Sequence, residues 1–374
     1  MENRRTTRTG RRNRRRLNIR RVILVILALF VIAGGAAAAV IGLRGCSTAA
    51  SKRSLPFPAD SAYCYTGDGF LYLRDNTLNF YSLEDEKNNS TIEIGAAASG
   101  VIGTDKIKAV YANSSIQVID TPFDNAIDGL ILKLRCGNKY IGAYVKNTDE
   151  THSLRVFNST GTECYREDFS DKVLLDFGFE GGDSAVLYMT ELVVKGSALS
   201  TTITTYDLNR SSKTGVISVQ GQIVKQLFMT KKSIFAFGTD SIVRYDRATN
   251  EEVYRLRCRG YECIGFSAQK NAVCLLLTRS GSENSPLSVL TLKEGALPEE
   301  SVISVTDTKE NLGCFLLGGK CVLVKADRIV IYNQKGAVEK TIAIEDGAAT
   351  GAEKLDEKNI IVFRGGETVL YTVK

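Results

Sequence analysis

The chain has 374 residues, 44% of them hydrophobic and 24% charged, and a formal net charge of +6 from 48 Lys and Arg against 42 Asp and Glu. Ten Arg and one Glu lie within residues 1–21, so the remaining residues carry 38 basic against 41 acidic side chains, a net charge of −3. This balance gives the rest of the chain no bias toward nucleic acid or other polyanions. A single histidine also excludes a metal centre built from several histidines.

Residues 22–43 form an apolar segment that contains no charged side chain. As a helix this segment is about 33 Å long, enough to span a hydrocarbon core of about 30 Å. Basic residues flank it on the N-terminal side, at Arg4, Arg5, Arg8, Arg11, Arg12, Arg14, Arg15, Arg16, Arg20 and Arg21. The positive-inside rule therefore predicts a single-pass type II membrane protein with a cytoplasmic N-terminus and an extracellular C-terminal part.

Two other interpretations of the N-terminus are weaker. Leu43-Arg44-Gly45-Cys46 has the outline of a lipoprotein processing site, but the apolar segment is longer than the 7–15 residues usual in a cleaved signal. A nucleic-acid-binding arm accounts for the arginines and leaves the apolar segment unexplained. We predict an uncleaved anchor whose arginines face anionic lipid headgroups, with no nucleic-acid partner.

From Asp60 onward the hydrophobic periodicity is two, which indicates short β-strands separated by Gly, Asn, Asp and Ser clusters. One unit recurs, with a strand that ends in an aromatic or large aliphatic residue. These residues are Tyr81, Ile119, Phe157, Tyr206, Tyr245, Leu290, Tyr332 and Tyr371. Intervals of 38 to 49 residues are typical of propeller blades of four strands. The sequence predicts an all-β fold, a β-propeller of eight blades, with seven as the alternative.

Turn chemistry supports the blades. The segments beginning at Phe157 and Tyr332 share the pattern aromatic, Asn, two residues, Gly, with the glycines at Gly161 and Gly336. A type I turn that closes with a left-handed glycine requires this pattern. We therefore interpret both segments as hairpins and not as ligand sites.

The last unit has three strands before Lys374, so another segment must complete its blade. Residues 54–61 are the expected donor, and Pro56 and Pro58 are compatible with an outermost edge strand. The predicted organisation is a disordered cytoplasmic tail (1–21), a transmembrane helix (22–43), a linker and possible closing strand (44–59) and an exported β-propeller (60–374).

The segment "YDRATNEEVYRL" at Tyr245 resembles the turns of quinoprotein-type propeller repeats. Those repeats carry docking tryptophans, and this chain has none, which argues against a bound quinone. The whole layout resembles a family of membrane-anchored, propeller-like proteins of Gram-positive bacteria. That resemblance implies a fold and a location, and it implies no activity.

The sequence motifs predict no catalytic, cofactor-binding or metal-binding residue, and no cofactor. His152 lies in a polar segment and is expected in a solvated loop, and "EGGDS" at Glu180 is expected to be a hairpin turn. Eight cysteines follow residue 60, and either disulfides or buried free thiols fit them; several lie in apolar strands, which favours free thiols.

These observations favour a non-enzymatic scaffold that binds another protein of the cell envelope. A sensor that couples an exported ligand to a cytoplasmic partner is the alternative, followed by a carboxylate-dependent hydrolase or lyase. The longest polar insertions lie at residues 191–200 and 279–286, where we expect loops of a binding face.

Overall fold

A computed structural model describes residues 51–94, 98–121, 124–269, 271–281, 285–303, 311–333 and 335–373. Over these residues the strands form eight four-stranded antiparallel sheets, so the fold is an eight-bladed β-propeller. Within the same residues one short 3-10 helix, Glu86–Asn88, is capped by Asp85. No helix in this part of the chain is long and apolar enough to cross a membrane, and the predicted anchor at residues 22–43 lies outside it.

The strands follow one another in chain order. The first strand is β1 (Ser51–Pro58), and blade 1 follows with β2 (Tyr63–Tyr65), β3 (Gly69–Arg74), β4 (Thr77–Ser82) and β5 (Ser90–Glu93). Blade 2 consists of β6 (Gly100–Gly103), β7 (Lys108–Ala112), β8 (Ser115–Val118) and β9 (Asp124–Ala126), and blade 3 of β10 (Leu130–Cys136), β11 (Tyr140–Lys146), β12 (His152–Asn158) and β13 (Glu163–Phe169). Blade 4 consists of β14 (Val173–Phe179), β15 (Val186–Lys195), β16 (Ala198–Asp207) and β17 (Ser212–Gln220).

The second half continues the pattern. It comprises blade 5 with β18 (Val224–Met229), β19 (Ser233–Gly238), β20 (Ser241–Asp246) and β21 (Glu252–Arg257), blade 6 with β22 (Tyr261–Gln269), β23 (Ala272–Arg279), β24 (Leu287–Lys293) and β25 (Glu299–Ile303), blade 7 with β26 (Gly313–Leu317), β27 (Lys320–Val324), β28 (Arg328–Tyr332) and β29 (Val338–Ala343), and blade 8 with β30 (Ala349–Lys354), β31 (Asn359–Arg364) and β32 (Glu367–Thr372). The first strand of each blade is innermost and lines the axis.

The two faces of the ring follow from this order. Turns between first and second strands and between third and fourth strands lie on one side, which we call the hairpin face. Turns between second and third strands and the connections between blades lie on the other side, the crossover face. An inner strand therefore begins at the crossover face and ends at the hairpin face.

Hydrophobic burial is concentrated between blades. In the described residues there are eight buried clusters, and each joins two neighbouring blades around the ring. One example packs Leu154 and Val156 of blade 3 against Phe177 and Leu187 of blade 4. Each blade is thus stabilised by the apolar surface that its two neighbours remove from water.

Strand β1 closes the ring, as the sequence predicted, although the strand is Ser51–Pro58 where residues 54–61 were expected. It pairs with β32 as the outermost strand of blade 8, from Ser51 opposite Thr372 to Pro58 opposite Glu367. Phe57 is 2% exposed, and its ring lies 5.1 to 5.4 Å from those of Tyr63, Phe70 and Tyr72. The segment therefore ties the two ends of the propeller together.

The predicted repeat is confirmed in its details. Every anchor residue from Tyr81 to Tyr371 lies in the third strand of a blade, or directly after that strand for Ile119. The side chain of Asn158 accepts hydrogen bonds from the backbone N–H groups of Thr160 and Thr162, at 3.0 and 2.9 Å. Gly161 and Gly336 have φ of 83° and 79°, the left-handed conformation that the pattern required.

The cysteines within the described residues are free thiols. Three are buried, four are half-buried, and Cys164 is exposed. Burial raises the pKa of Cys136 to about 12 and that of Cys258 and Cys263 to about 11. These thiols remain protonated at neutral pH and act as small apolar side chains.

Removing the Phe57 ring tests how far closure stabilises the fold. We expect Phe57→Ala to lower the free energy of unfolding by about 3–5 kcal/mol, because the ring leaves a cavity between blades 8 and 1. Urea unfolding of the full-length chain measures this, with the exposed Ser54→Ala on the same strand as the control. A change within about 0.5 kcal/mol of the parent would contradict a stabilising closure.

Candidate functional site

The candidate site is the central channel, where inner strands of consecutive blades enclose two cavities. The Arg135 lobe has a volume of about 590 Å³ and is lined by Arg135, Asp176, Phe179, Glu180, Gly181, Tyr188, Gln226, Leu227, Phe228, Met229, Phe266 and Ala268. The Lys354 lobe has a volume of about 580 Å³ and is lined by Gln226, Cys263, Ile264, Gly265, Phe266, Phe315, Lys354, Leu355, Asp356 and Glu357. Both volumes are in the range of ligand pockets, about 300–1,000 Å³.

Inner-strand bulges set the direction of the channel side chains. Five of the described inner strands carry one extra residue near their start, for example between Ile131 and Lys133 and between Leu174 and Asp176. A bulge bends its strand and redirects the side chains that follow it. Lys133, Asp176 and Gln226 each come directly after such a bulge, in blades 3, 4 and 5.

The charges of the Arg135 lobe are unbalanced. Lys133 Nζ lies 2.5 Å from Asp176 Oδ1, and Arg135 Nη2 lies 3.8 Å from the same oxygen. Glu180 is already paired, because Arg247 Nη1 and Nη2 contact its two carboxylate oxygens at 2.5 and 3.3 Å. Two cations thus share the Asp176 carboxylate, which leaves one positive charge in excess.

Tyr188 reaches the channel because the residue opposite it is a glycine. Gly178 pairs with Tyr188 across β14 and β15, and a Cβ at Gly178 would lie 2.5 Å from Tyr188 Oη. The ring therefore lies over the inner strand. Burial and the nearby Asp176 charge raise the pKa of Tyr188, so its hydroxyl stays a hydrogen-bond donor.

An aromatic wall and an unsatisfied acceptor complete this lobe. The rings of Phe228 and Phe266 lie 5.0 Å apart and tilted, and Phe266 is 44% exposed. Gln226 borders both lobes, and within the described residues its buried Oε1 has no hydrogen-bond partner. A buried acceptor without a donor is costly, so this oxygen favours a ligand N–H or an ordered water.

The Lys354 lobe is crossed by a polar network. Lys354 Nζ donates to the backbone oxygen of Phe266 at 2.7 Å and to Glu357 at 2.8 Å. Glu357 also accepts from the Gly318 N–H at 3.0 Å and from the Ser267 hydroxyl. The network links blades 6, 7 and 8 and fixes the wall of this lobe.

Two tyrosine–carboxylate pairs join blade 1 to blade 8 beside the axis. Tyr63 donates to Glu353, and Tyr65 donates to Asp356 Oδ2 at 2.7 Å. Burial, together with the hydrogen bond to the carboxylate, raises the pKa of both phenols. The phenols therefore stay protonated, and the geometry fits structural ties better than nucleophiles.

The mouth of the channel on the crossover face is apolar. Leu130 and Leu132 of β10 and Val173 of β14 lie at the starts of neighbouring inner strands and are 45%, 47% and 55% exposed. No group of three or more metal-ligating side chains occurs in the described part of the chain. The arrangement presents apolar, charged and hydrogen-bonding groups suited to binding.

A hairpin of blade 4 rises beside this mouth. Strands β15 and β16 have ten residues each, while second and third strands of the other blades have four to eight. The last pairs with β14 and β17 are at Leu192 and Ser200, so the tip extends about three residues, or about 10 Å, beyond the sheet. The turn is at Gly196, where φ is 61°.

The predicted loop at residues 191–200 is therefore wrong, because the segment is a continuous antiparallel ribbon. Glu191 is buried and ion-paired with Lys172, which also contacts Glu167 at 2.5 Å. The second predicted loop, at residues 279–286, lies partly outside the described residues.

Of two other sequence predictions, one is confirmed and one is wrong. The segment at Glu180 is a hairpin turn, as expected, but its carboxylate also reaches Arg247 of the next blade. His152 is not in a loop: it begins β12, and its ring stacks on Tyr144 at 5.5 Å. The sequence search did not find Lys133, Arg135, Asp176 and Gln226, because the bulges that bring them to the channel leave no mark in a two-residue period.

Comparison with known proteins places the fold. No family model matches the chain, and no curated protein matches it. Among solved structures it is similar to the WD40 domain of SCAP from fission yeast, with a TM-score of 0.57 and 6% identity over 86% of this chain and 98% of that chain. At this identity the likeness is one of fold alone: both chains are β-propellers.

Two further similarities are weaker. The computationally designed Ika8 protein has a TM-score of 0.48 at 13% identity, covering 86% of this chain and 98% of that chain. The Neurospora crassa Pan2 WD40 domain has a TM-score of 0.44 at 8% identity, covering 87% and 94%.

The Glu180–Arg247 pair predicts a pH dependence. Burial alone would raise the pKa of Glu180, but hydrogen bonds from Arg247 and Ser184 lower it below its ordinary value. The ionised carboxylate therefore stabilises the fold at pH values above its unfolded-state pKa of about 4.3. This stabilisation is lost as the pH falls through the lower folded-state pKa of Glu180.

Glu180→Gln should lower the free energy of unfolding by about 1–2 kcal/mol at pH 7, with the difference shrinking as the pH falls below about 4.3 and disappearing below the folded-state pKa of Glu180. Denaturant unfolding across this range provides the measurement. Glu93→Gln is the control, because this side chain is exposed and makes no hydrogen bond to the described residues. A Glu180→Gln deficit that persists unchanged at pH 3 would show that the ionised carboxylate is not its source.

Proposed function

We propose that the chain is a membrane-tethered propeller that binds another protein of the cell envelope through its crossover face. The observation that carries the proposal is the apolar mouth formed by Leu130, Leu132 and Val173 beside the projecting hairpin. Exposed apolar side chains grouped at one point of a surface are typical of protein-interaction sites.

The supporting geometry is rigid. Leu130, Leu132 and Val173 belong to strands of two blades that share a buried cluster, so they are held in place before any partner binds. The hairpin tip adds Val194, which is exposed at the end of the ribbon. A preorganised patch with a projecting ribbon loses little conformational entropy on binding.

The fold agrees with this role. Propellers present their loops and channel mouths at two faces while the blades supply a rigid scaffold. The apolar mouth lies on one of these faces. A sensor or a hydrolase remains the alternative activity, and the experiments below distinguish both from a scaffold.

The tether rests on the sequence. Residues 22–43 are long enough to span a bilayer, and ten arginines on one side orient the segment with residues 1–21 in the cytoplasm. The layout resemblance to membrane-anchored propeller-like proteins of Gram-positive bacteria supports the same arrangement.

A pair of substitutions tests the mouth. Burying side chains of this size contributes roughly 1.5–3 kcal/mol each, so Leu132→Ser with Val173→Ser should weaken the contact at least about tenfold. A photo-crosslinker at Lys195, on the hairpin tip, would capture the partner in cells as an adduct of defined mass. The partner's affinity for each variant is then measured with purified proteins.

The control replaces two equally exposed valines on outer strands, Val216→Ser with Val253→Ser. It should bind like the parent, because these positions lie away from the channel mouth. Equal loss in both double variants would contradict the proposed surface. Turnover of a glycan or ester substrate that Asp176→Asn abolishes would favour a hydrolase, and an adduct with a cytoplasmic signalling protein would favour a sensor.

Protease added to intact cells tests the tether. The expected result is loss of the propeller and retention of a short arginine-rich fragment, because residues 1–21 are protected by the membrane. A tag at each end, detected by immunoblot, reports both fates, and permeabilised cells provide the control. Release of the whole propeller into the medium without protease would show a cleaved signal instead of an anchor.

A further inference from the structure

The Arg135 lobe has the charge expected of an anion-binding site. Lys133 and Arg135 both face the single carboxylate of Asp176, and the Arg135 guanidinium makes no hydrogen bond to the described residues. Its guanidinium is half-exposed, with 3.8 Å to its nearest acidic oxygen. Because a guanidinium fork matches a carboxylate, Arg135 can bind a second carboxylate without giving up a short bond.

An apolar surface lies in the same lobe. The Phe228 and Phe266 rings form a tilted pair, and Phe266 keeps nearly half of its surface exposed to the channel. Leu227 and Met229 also line the cavity. A ligand with a large apolar group would cover this surface and gain the burial energy that the free protein lacks.

Hydrogen-bonding groups define the rest of the ligand. The buried Gln226 Oε1 lacks a donor among the described residues, so it calls for an N–H group. The Tyr188 hydroxyl, held over Gly178, supplies a donor near Asp176 and Arg135. The lobe thus offers a cation and a donor for a carboxylate, an acceptor for an N–H, and an aromatic wall.

We infer that the Arg135 lobe binds the C-terminal residue of a polypeptide that ends in a large apolar side chain. The terminal carboxylate contacts Arg135 and Tyr188, the last amide N–H donates to Gln226, and the side chain packs on Phe228 and Phe266. A chain end carries all three groups on adjacent atoms. The site lies toward the hairpin face, so it does not depend on the contact proposed for the crossover face.

The test uses the full-length chain and fluorescein-labelled hexapeptides followed by fluorescence anisotropy. The probes are Gly-Ser-Gly-Ser-Gly-Phe with a free carboxylate, the same peptide amidated, and the same peptide ending in Ala. We expect saturable binding of the first peptide and at least about tenfold weaker binding of the other two. Equal affinity for the free and amidated peptides, or no saturation at about 1 mM peptide, would overturn the inference.

Matched variants assign the contact to the lobe. Arg135→Gln should weaken binding of the first peptide at least about tenfold and abolish the protein's preference for the free carboxylate over the amide. Arg257→Gln, on the outer strand of blade 5, should leave the affinity unchanged. Phe266→Ala should weaken binding of the peptide that ends in Phe more than binding of the peptide that ends in Ala. If Arg135→Gln lowers the melting temperature, Arg135→Lys is measured in its place. This variant keeps the positive charge and should retain the preference for a carboxylate.

A competition arm separates a chain end from a free small molecule with the same groups. N-acetylphenylalanine should displace the peptide only at a higher concentration than the unlabelled hexapeptide, because it lacks the preceding residues. If the free acid binds as tightly or more tightly, the polypeptide assignment is wrong. Indistinguishable behaviour of the Arg135 and Arg257 variants would also overturn it, without bearing on the crossover-face contact.

Discussion

The pairing of β1 with β32 is the constraint on which the rest of the structure depends. Each blade has two apolar faces, and each face is covered by a neighbouring blade. Without this pairing, the faces by which blades 1 and 8 pack against each other would be exposed to water, together with the free edge of β32. The aromatic contacts of Phe57 and the backbone register of β1 join these ends, so closure stabilises all the other interfaces.

The closed ring sets the geometry of the central channel. The two lobes draw their walls from blades 3 to 6 and 5 to 8, and their widths follow from the spacing of blades in a closed ring. Polar ties then join neighbouring blades, as Glu180–Arg247 does between blades 4 and 5 and the hydrogen bond from the Gly318 N–H to Glu357 does between blades 7 and 8. Each tie contributes about 1–2 kcal/mol, whereas one buried aromatic such as Phe57 contributes more, so burial sets the fold and the polar groups tune its faces.

Sequence reasoning reached the fold because its signals are local. An aromatic or large aliphatic residue recurs at the end of the third strand of each blade, the turn with Asn and a closing glycine follows Phe157 and Tyr332, and a missing fourth strand implies a donor. The channel residues were not predictable in this way. Lys133 and Asp176 lie 43 positions apart, and they meet only because bulges redirect two inner strands. The ribbon at β15 and β16 was predicted as a loop because its tip around Gly196 has no buried face, so no alternation of apolar and polar residues marks it as a strand.

Native-state hydrogen exchange on the full-length chain tests the closed ring most directly. Closure by β1 predicts that the amides of β1 that pair with β32, and those of β32 itself, exchange as slowly as the third strands of the other blades, through global unfolding. The opposite result would be rapid exchange in β1 and β32 while the remaining blades stay protected. That pattern would show a propeller that holds together without β1, and it would contradict the closure on which this account of the channel and its faces depends.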